Sequence, residues 1–105
     1  MSAIVGTNLL VLGGWNGFEC LDSVETSDLS SPTPSFTKLP RAKGLIGPVK
    51  NGCCIFDEQT QKILIIGGWD ERNTSSTVFL YDPIDQHCTF SSIQLPKPIE
   101  GHSVT

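Results

Sequence analysis

The sequence is poor in charge, with only 17% of its 105 residues charged, and poorer still in positive charge, with seven Lys and Arg against eleven Asp and Glu. No basic cluster occurs. A nucleic-acid binder must neutralise phosphates, and anionic lipid attracts basic segments, so nucleic acid and a charged membrane surface are both excluded as partners. Long apolar runs are missing too. The stretch Asn8–Gly13 is far short of a membrane span. Met1–Asn8 lacks the basic start of a signal peptide and is broken by Gly6, Thr7 and Asn8, so a cytoplasmic location is expected. The catalytic sets are thin. There is no phosphate-binding glycine loop, no nucleophile elbow and no His-Glu-x-x-His, and the two histidines, His87 and His102, stand alone. The expectation is a chain that is not an enzyme, with no cofactor and no metal. Four cysteines, at Cys20, Cys53, Cys54 and Cys88, lack Cys-x-x-Cys spacing, and neighbours on a strand point to opposite faces, so reduced thiols are expected. Helical periodicity never lasts beyond about two turns.

What the sequence does contain is turn formers and a repeat. Ser and Thr fill 20 positions, with ten Gly and seven Pro among the rest. Leu9-Leu-Val-Leu-Gly-Gly-Trp-Asn16 returns as Ile63-Leu-Ile-Ile-Gly-Gly-Trp-Asp70, which places Gly13 on Gly67 at an offset of 54. The same offset carries Val24 to Val78, Asp28 to Asp82 and Phe36 to Phe90. Each copy reads as four short strands. Ser2–Val5, Leu9–Leu12, Ser23–Asp28 and Ser35–Leu39 make the first. Val49–Phe56, Lys62–Ile66, Ser76–Asp82 and Cys88–Leu95 make the second. Connections this short favour antiparallel meanders, and four antiparallel strands at a period near 50 describe a β-propeller blade. The expected fold is all-β: one blade over 1–45, a second over 46–100, and the first strand of a third over 101–105. Glycine at each doublet permits positive φ and close backbone approach, so a bulky side chain at Gly67 is expected to cost about 1–3 kcal/mol.

These residues resemble the kelch repeat, in which a hydrophobic run leads into Gly-Gly and is followed by a Tyr and a spaced aromatic. The second copy shows Gly67-Gly68, then Tyr81 and Phe90; the first shows Gly13-Gly14 and Phe36. Leu21–Glu25 is similar to the third-strand start of BTB-kelch adaptors, and Leu39-Pro40, Leu95-Pro96 and Gly101–Val104 resemble passages between blades. The resemblance implies a structural role for Gly13, Gly14, Trp15, Phe36, Gly67, Gly68, Trp69, Tyr81 and Phe90. The first copy departs at Ser27, where the family has Tyr, and is expected to pack less well than the second.

Propeller loops carry function on a rigid scaffold, and Trp and Arg are enriched at interface hot spots. Candidate partner contacts are therefore Asn16, Phe18, Asp70 and Arg72 in the loops after the doublets, with Arg41 and Lys43 between the copies; Lys97 lies in a similar connection. Trp15 and Trp69 either pack between blades or touch a partner, and their matched positions favour packing. The paired carboxylates Asp57-Glu58 and Asp70-Glu71 read as solvated turns. The resemblance implies a non-catalytic protein-interaction module, such as the substrate-recognition part of a ubiquitin-ligase adaptor. Alternatives are a fragment of a propeller-based enzyme, or a truncated product without a function of its own. Two blades leave wedge faces bare, so a protein partner or self-association is expected.

Overall fold

In the computed structural model, which describes residues 1–101, alternating apolar residues and the turns between them produce two four-stranded sheets. The first holds β1 (Ser2–Val5), β2 (Asn8–Trp15), β3 (Cys20–Asp28) and β4 (Thr37–Lys38) in chain order. The second holds β5 (Cys53–Asp57), β6 (Lys62–Ile66), β7 (Thr77–Asp82) and β8 (His87–Gln94). Every neighbouring pair is antiparallel. The sequence dictates the reversals. Asp57 and Asp82 begin turns in which their Oδ1 atoms accept backbone N–H groups two residues on. Gln61 and Gln86 close those turns in the left-handed region. Among the described residues the only helical piece is a 3₁₀ turn at Arg41–Lys43, and no helix is long and apolar enough to cross a membrane. Residues 102–105, which include His102 and nearly all of the expected third-blade strand, lie outside the described residues.

Four strands differ from expectation by two residues or more, among them β3, which begins at Cys20 instead of Ser23. β2 does not stop at Leu12 but passes through Gly13-Gly14 to Trp15, with a register irregularity between Leu12 and Gly14 where the left-handed glycines reorient the chain. β4 shrinks from Ser35–Leu39 to two residues; Leu39 still donates to the Val24 carbonyl, and Pro40 then leads into the 3₁₀ turn. β5 starts at Cys53 instead of Val49. Val49 and Lys50 are used in the connection: Val49 donates to the Leu21 carbonyl, and Lys50 bridges Trp69.

Register assigns each side chain a face, since cross-strand partners share one and successive residues alternate. Leu10 and Leu12, with Ala3 and Val24 beside them, form the seam face of the first blade. Ile63, Ile65, Cys54, Phe79 and Tyr81 form the seam face of the second. These faces pack together, and Leu45 and Val49 from the connection join the same core. Leu12, Val24, Ile63, Ile65 and Tyr81 are fully buried there. The opposite faces remain partly open: Ile4, Leu9 and Val11 on the first blade, and Ile55, Leu64 and Ile66 on the second.

The doublets close this seam. Gly13 has φ +62, and a Cβ there would lie 2.5 Å from the Val49 carbonyl oxygen. That oxygen accepts the Gly14 N–H at 2.8 Å. A Cβ at Gly68 would likewise lie 2.7 Å from the Lys50 carbonyl oxygen. Gly67 has φ +66, so it carries the conformational constraint expected of it. Phe36 and Phe90, expected within the packed motif, are instead 53% and 62% exposed. Phe90 still packs on its cross-strand neighbour Phe79, with ring centroids 5.3 Å apart.

Candidate partner-binding site

The loops after the two doublets are built alike. Asn16 Oδ1 accepts the N–H groups of Phe18 and Glu19, and Asp70 Oδ1 accepts those of Arg72 and Asn73. These hydrogen bonds hold the Asp70 carboxyl below its usual range. Asn16 and Asp70 therefore spend their side chains shaping the loops. Phe18 projects from the first loop at 88% exposure. Trp15 is half exposed and lies under the Lys50 ammonium, 4.2 Å from its ring centre, so it reaches across the seam through its π face. Trp69 is held by backbone pairing to Lys50 and Thr74.

Glu71 does what sequence alone did not reveal. It occupies the repeat position of Gly17, and both residues have left-handed φ, +86° and +98°. A side chain in that conformation is strained. The Glu71 carboxylate reaches across the seam and accepts the Cys20 backbone N–H at 2.6 Å. The Cys20 thiol points to the Trp69 carbonyl at 3.7 Å. Burial first, and then the Glu71 carboxylate, push the Cys20 thiol up to about 11, so this cysteine stays protonated at neutral pH. Asp70 and Glu71 are both exposed, as a solvated turn requires, and they also organise the loop: Glu71 ties the blades together. Glu71→Ala should lower the melting temperature more than Glu71→Gly, which loses the same acceptor but relieves the left-handed strain. Glu71→Gln, which keeps an acceptor oxygen, should melt closest to the parent. Equal melting of the Ala and Gly variants would show that no strain is held there.

Two clefts meet at Glu71 and Pro48. The larger, about 710 Å³, is mixed in charge, lined by Lys38 and Arg41 together with Glu19, Asp22 and Glu71. The second, about 560 Å³, is more apolar: Ile46, Val49, Phe79 and Phe90 line it, and Asp70 and Arg72 sit at its rim. The structure thus places Arg41 in the first cleft and Asp70 and Arg72 in the second. It leaves Asn16, Phe18 and Lys43 outside both linings. Lys43 contributes through its backbone, where its carbonyl accepts the Tyr81 hydroxyl at 2.7 Å. Ile46, Pro48 and Phe79 were not singled out from the sequence, because isolated apolar residues in a connection or a strand carry no signal of a groove.

This geometry can be compared with known proteins. A family model described as Kelch motif matches residues 59–92, which run from the β5–β6 turn into β8. The match takes in β6, β7 and most of β8 and leaves β5 outside it. No curated protein matches the chain. Among solved structures, that of YjhT superposes with a TM-score of 0.75 at 16% identity, covering 97% of this chain and 28% of that one. This chain therefore spans about a quarter of the length of YjhT, and the likeness is one of fold. Within the kelch motif, Tyr81 is the fully buried aromatic, and its counterpart in the first blade is Ser27, itself only 3% exposed. The pairs Ile63–Tyr81 and Leu9–Ser27 occupy the same register, so the substitution inferred from spacing is a true structural equivalence.

Proposed function

We propose that the chain is a non-catalytic protein-interaction module that holds a partner polypeptide in the groove along its blade seam, as the substrate-recognition part of a ubiquitin-ligase adaptor does. The observation that carries this reading is the junction of a polar and an apolar cleft at Glu71 and Pro48, with Arg41 lining the first and Arg72 the second. Arginine and aromatic side chains beside a desolvated apolar pocket are the elements of an interface hot spot. The kelch motif itself supports the reading, because its blades present loops on a fixed frame.

The test is affinity capture with the parent chain and with Arg41→Ala/Arg72→Ala. Both arginines are exposed, so the double variant should melt like the parent while partner recovery falls on the order of tenfold or more. Undiminished recovery by a folded double variant would refute the groove as the contact surface.

A further inference from the structure

The two outer faces of the chain repeat the two faces of its own seam. Leu64 and Ile66 on the outside of the second blade stand where Leu10 and Leu12 stand on the seam face of the first, and Val78, on the same face but already buried, stands where Val24 does. Leu9, Val11 and Ser27 on the outside of the first blade stand where Ile63, Ile65 and Tyr81 stand on the seam face of the second. A surface pair already shown to pack is thus present a second time, with its halves at opposite ends of the molecule.

The sizes are matched. On the outer face of the second blade, Ile55 replaces Ala3 and Leu80 replaces Thr26, so that half is larger than its seam counterpart. On the outer face of the first blade, Ile4 replaces Phe56 and Ser27 replaces Tyr81, so that half is smaller. Gains on one side offset losses on the other, as close packing requires. The connections agree with this exchange. Within the seam the Tyr81 hydroxyl needs the Lys43 carbonyl, which the long connection Leu39–Val49 supplies. The corresponding connection Leu95–Ile99 is shorter and has no residue equivalent to Lys43, and the residue that would meet it is Ser27, whose side chain is too short to reach where the Tyr81 hydroxyl stands. Polar groups fit as well. Cys54 Sγ donates to the Ser2 carbonyl across the seam, and Ser2 itself holds the position from which its hydroxyl can donate to a neighbouring Cys54 carbonyl. Glu25 takes the place of Phe79 and is opposite Lys38 in register.

We propose that a second copy of this chain docks head to tail, the outer face of its first blade seated on the outer face of the second blade of its neighbour. The contact is heterologous, so it propagates until the ring closes. Propellers close with about 4–8 blades, which corresponds to roughly two to four copies.

Light scattering on a size-exclusion column tests this at high micromolar concentration. The parent should elute as a closed multiple of 11.4 kDa. Ile4→Glu and Leu64→Glu, which each place a carboxylate on one half of the contact, should each be monomeric while keeping the strand spectrum and the melting behaviour of a folded chain. Should Leu64→Glu fail to fold, Ile55→Glu on the neighbouring strand of the same face replaces it. Mixed together, the two variants retain one intact pair of faces and should form a 1:1 heterodimer that grows no further. A monomeric parent overturns the proposal. So does an assembly that survives either variant, or a mixture that stays monomeric.

Discussion

Gly13→Ala is expected to remove roughly 2–5 kcal/mol of folding stability, summing a left-handed penalty of about 1–2 kcal/mol with overpacking of about 1–3 kcal/mol. The added methyl would stand 2.5 Å from the Val49 carbonyl oxygen and 3.1 Å from that of Leu21. Both are backbone atoms engaged in the hydrogen bonds that join the connection to the first blade, so neither can retreat without breaking one. Small domains have only about 5–15 kcal/mol in total, and the loss should be visible as a large fall in denaturation midpoint. Gly14→Ala is the internal comparison. Its φ is +113, but a Cβ there meets nothing within 4 Å, so it bears the conformational cost alone. Gly68→Ala should behave like Gly13→Ala, since Lys50 O and Val49 Cγ2 both lie 2.7 Å from its would-be Cβ. Equal midpoints for the Gly13 and Gly14 variants would mean that the connection does not press on the doublet.

Tyr81→Ala is the second large effect, at about 3–5 kcal/mol, because an aromatic with no exposed surface leaves a cavity in the centre of the seam. Tyr81→Phe keeps the ring and loses only the hydrogen bond to the Lys43 carbonyl, about 1 kcal/mol. The two variants also separate packing from ionisation. Burial pushes the Tyr81 hydroxyl from 10.0 up to about 12. Between these values the unfolded chain has released a proton that the folded chain retains, so raising the pH favours unfolding. Cys20, raised from 9.0 to about 11, acts in the same direction at lower pH. The parent should therefore hold its stability up to about pH 9 and lose it as the pH climbs from there towards 12. Tyr81→Phe should lose less over the upper part of that range. Identical alkaline profiles for parent and Phe variant would place the hydroxyl in contact with water.

Much of this fold can be read from the sequence because its strongest signals are local and repeated. The apolar run before each doublet sets the strand, and Lys62–Ile66 appears with the bounds that its pattern predicts. Tyr81 and Ser27 fall into register because the repeat offset is preserved through β2 and β3. Past β3 the offset stops being a guide. In the second blade Phe79 pairs with Phe90, whereas in the first Glu25 pairs with Lys38 and not with Phe36. That slip of two residues shortens β4, and it depends on where the connection is drawn, which no local pattern encodes. The groove was half legible. Arg41 and Arg72 stand out as exposed charges in loops, but Ile46 and Pro48 acquire meaning only when the connection folds back between the blades. Glu71 was hidden for a different reason: a carboxylate in a turn normally faces water, and only the left-handed backbone turns it towards Cys20.

The central claim is that the two sheets dock as consecutive blades through the glycine seam, and native-state hydrogen exchange tests it most directly. Gly14 N–H donates to the Val49 carbonyl, while the N–H groups of Leu45 and Val49 donate to the carbonyls of Asp22 and Leu21, so all three bonds join the segment leading into the second blade to the first. If the blades form one cooperative unit, the amides of Gly14, Leu45 and Val49 should be protected to the same free energy as Leu12 and Ile65 in the strand cores. Rapid exchange at those three positions beneath protected strands would mean two independent sheets, and would contradict the seam, its groove and the function assigned to it.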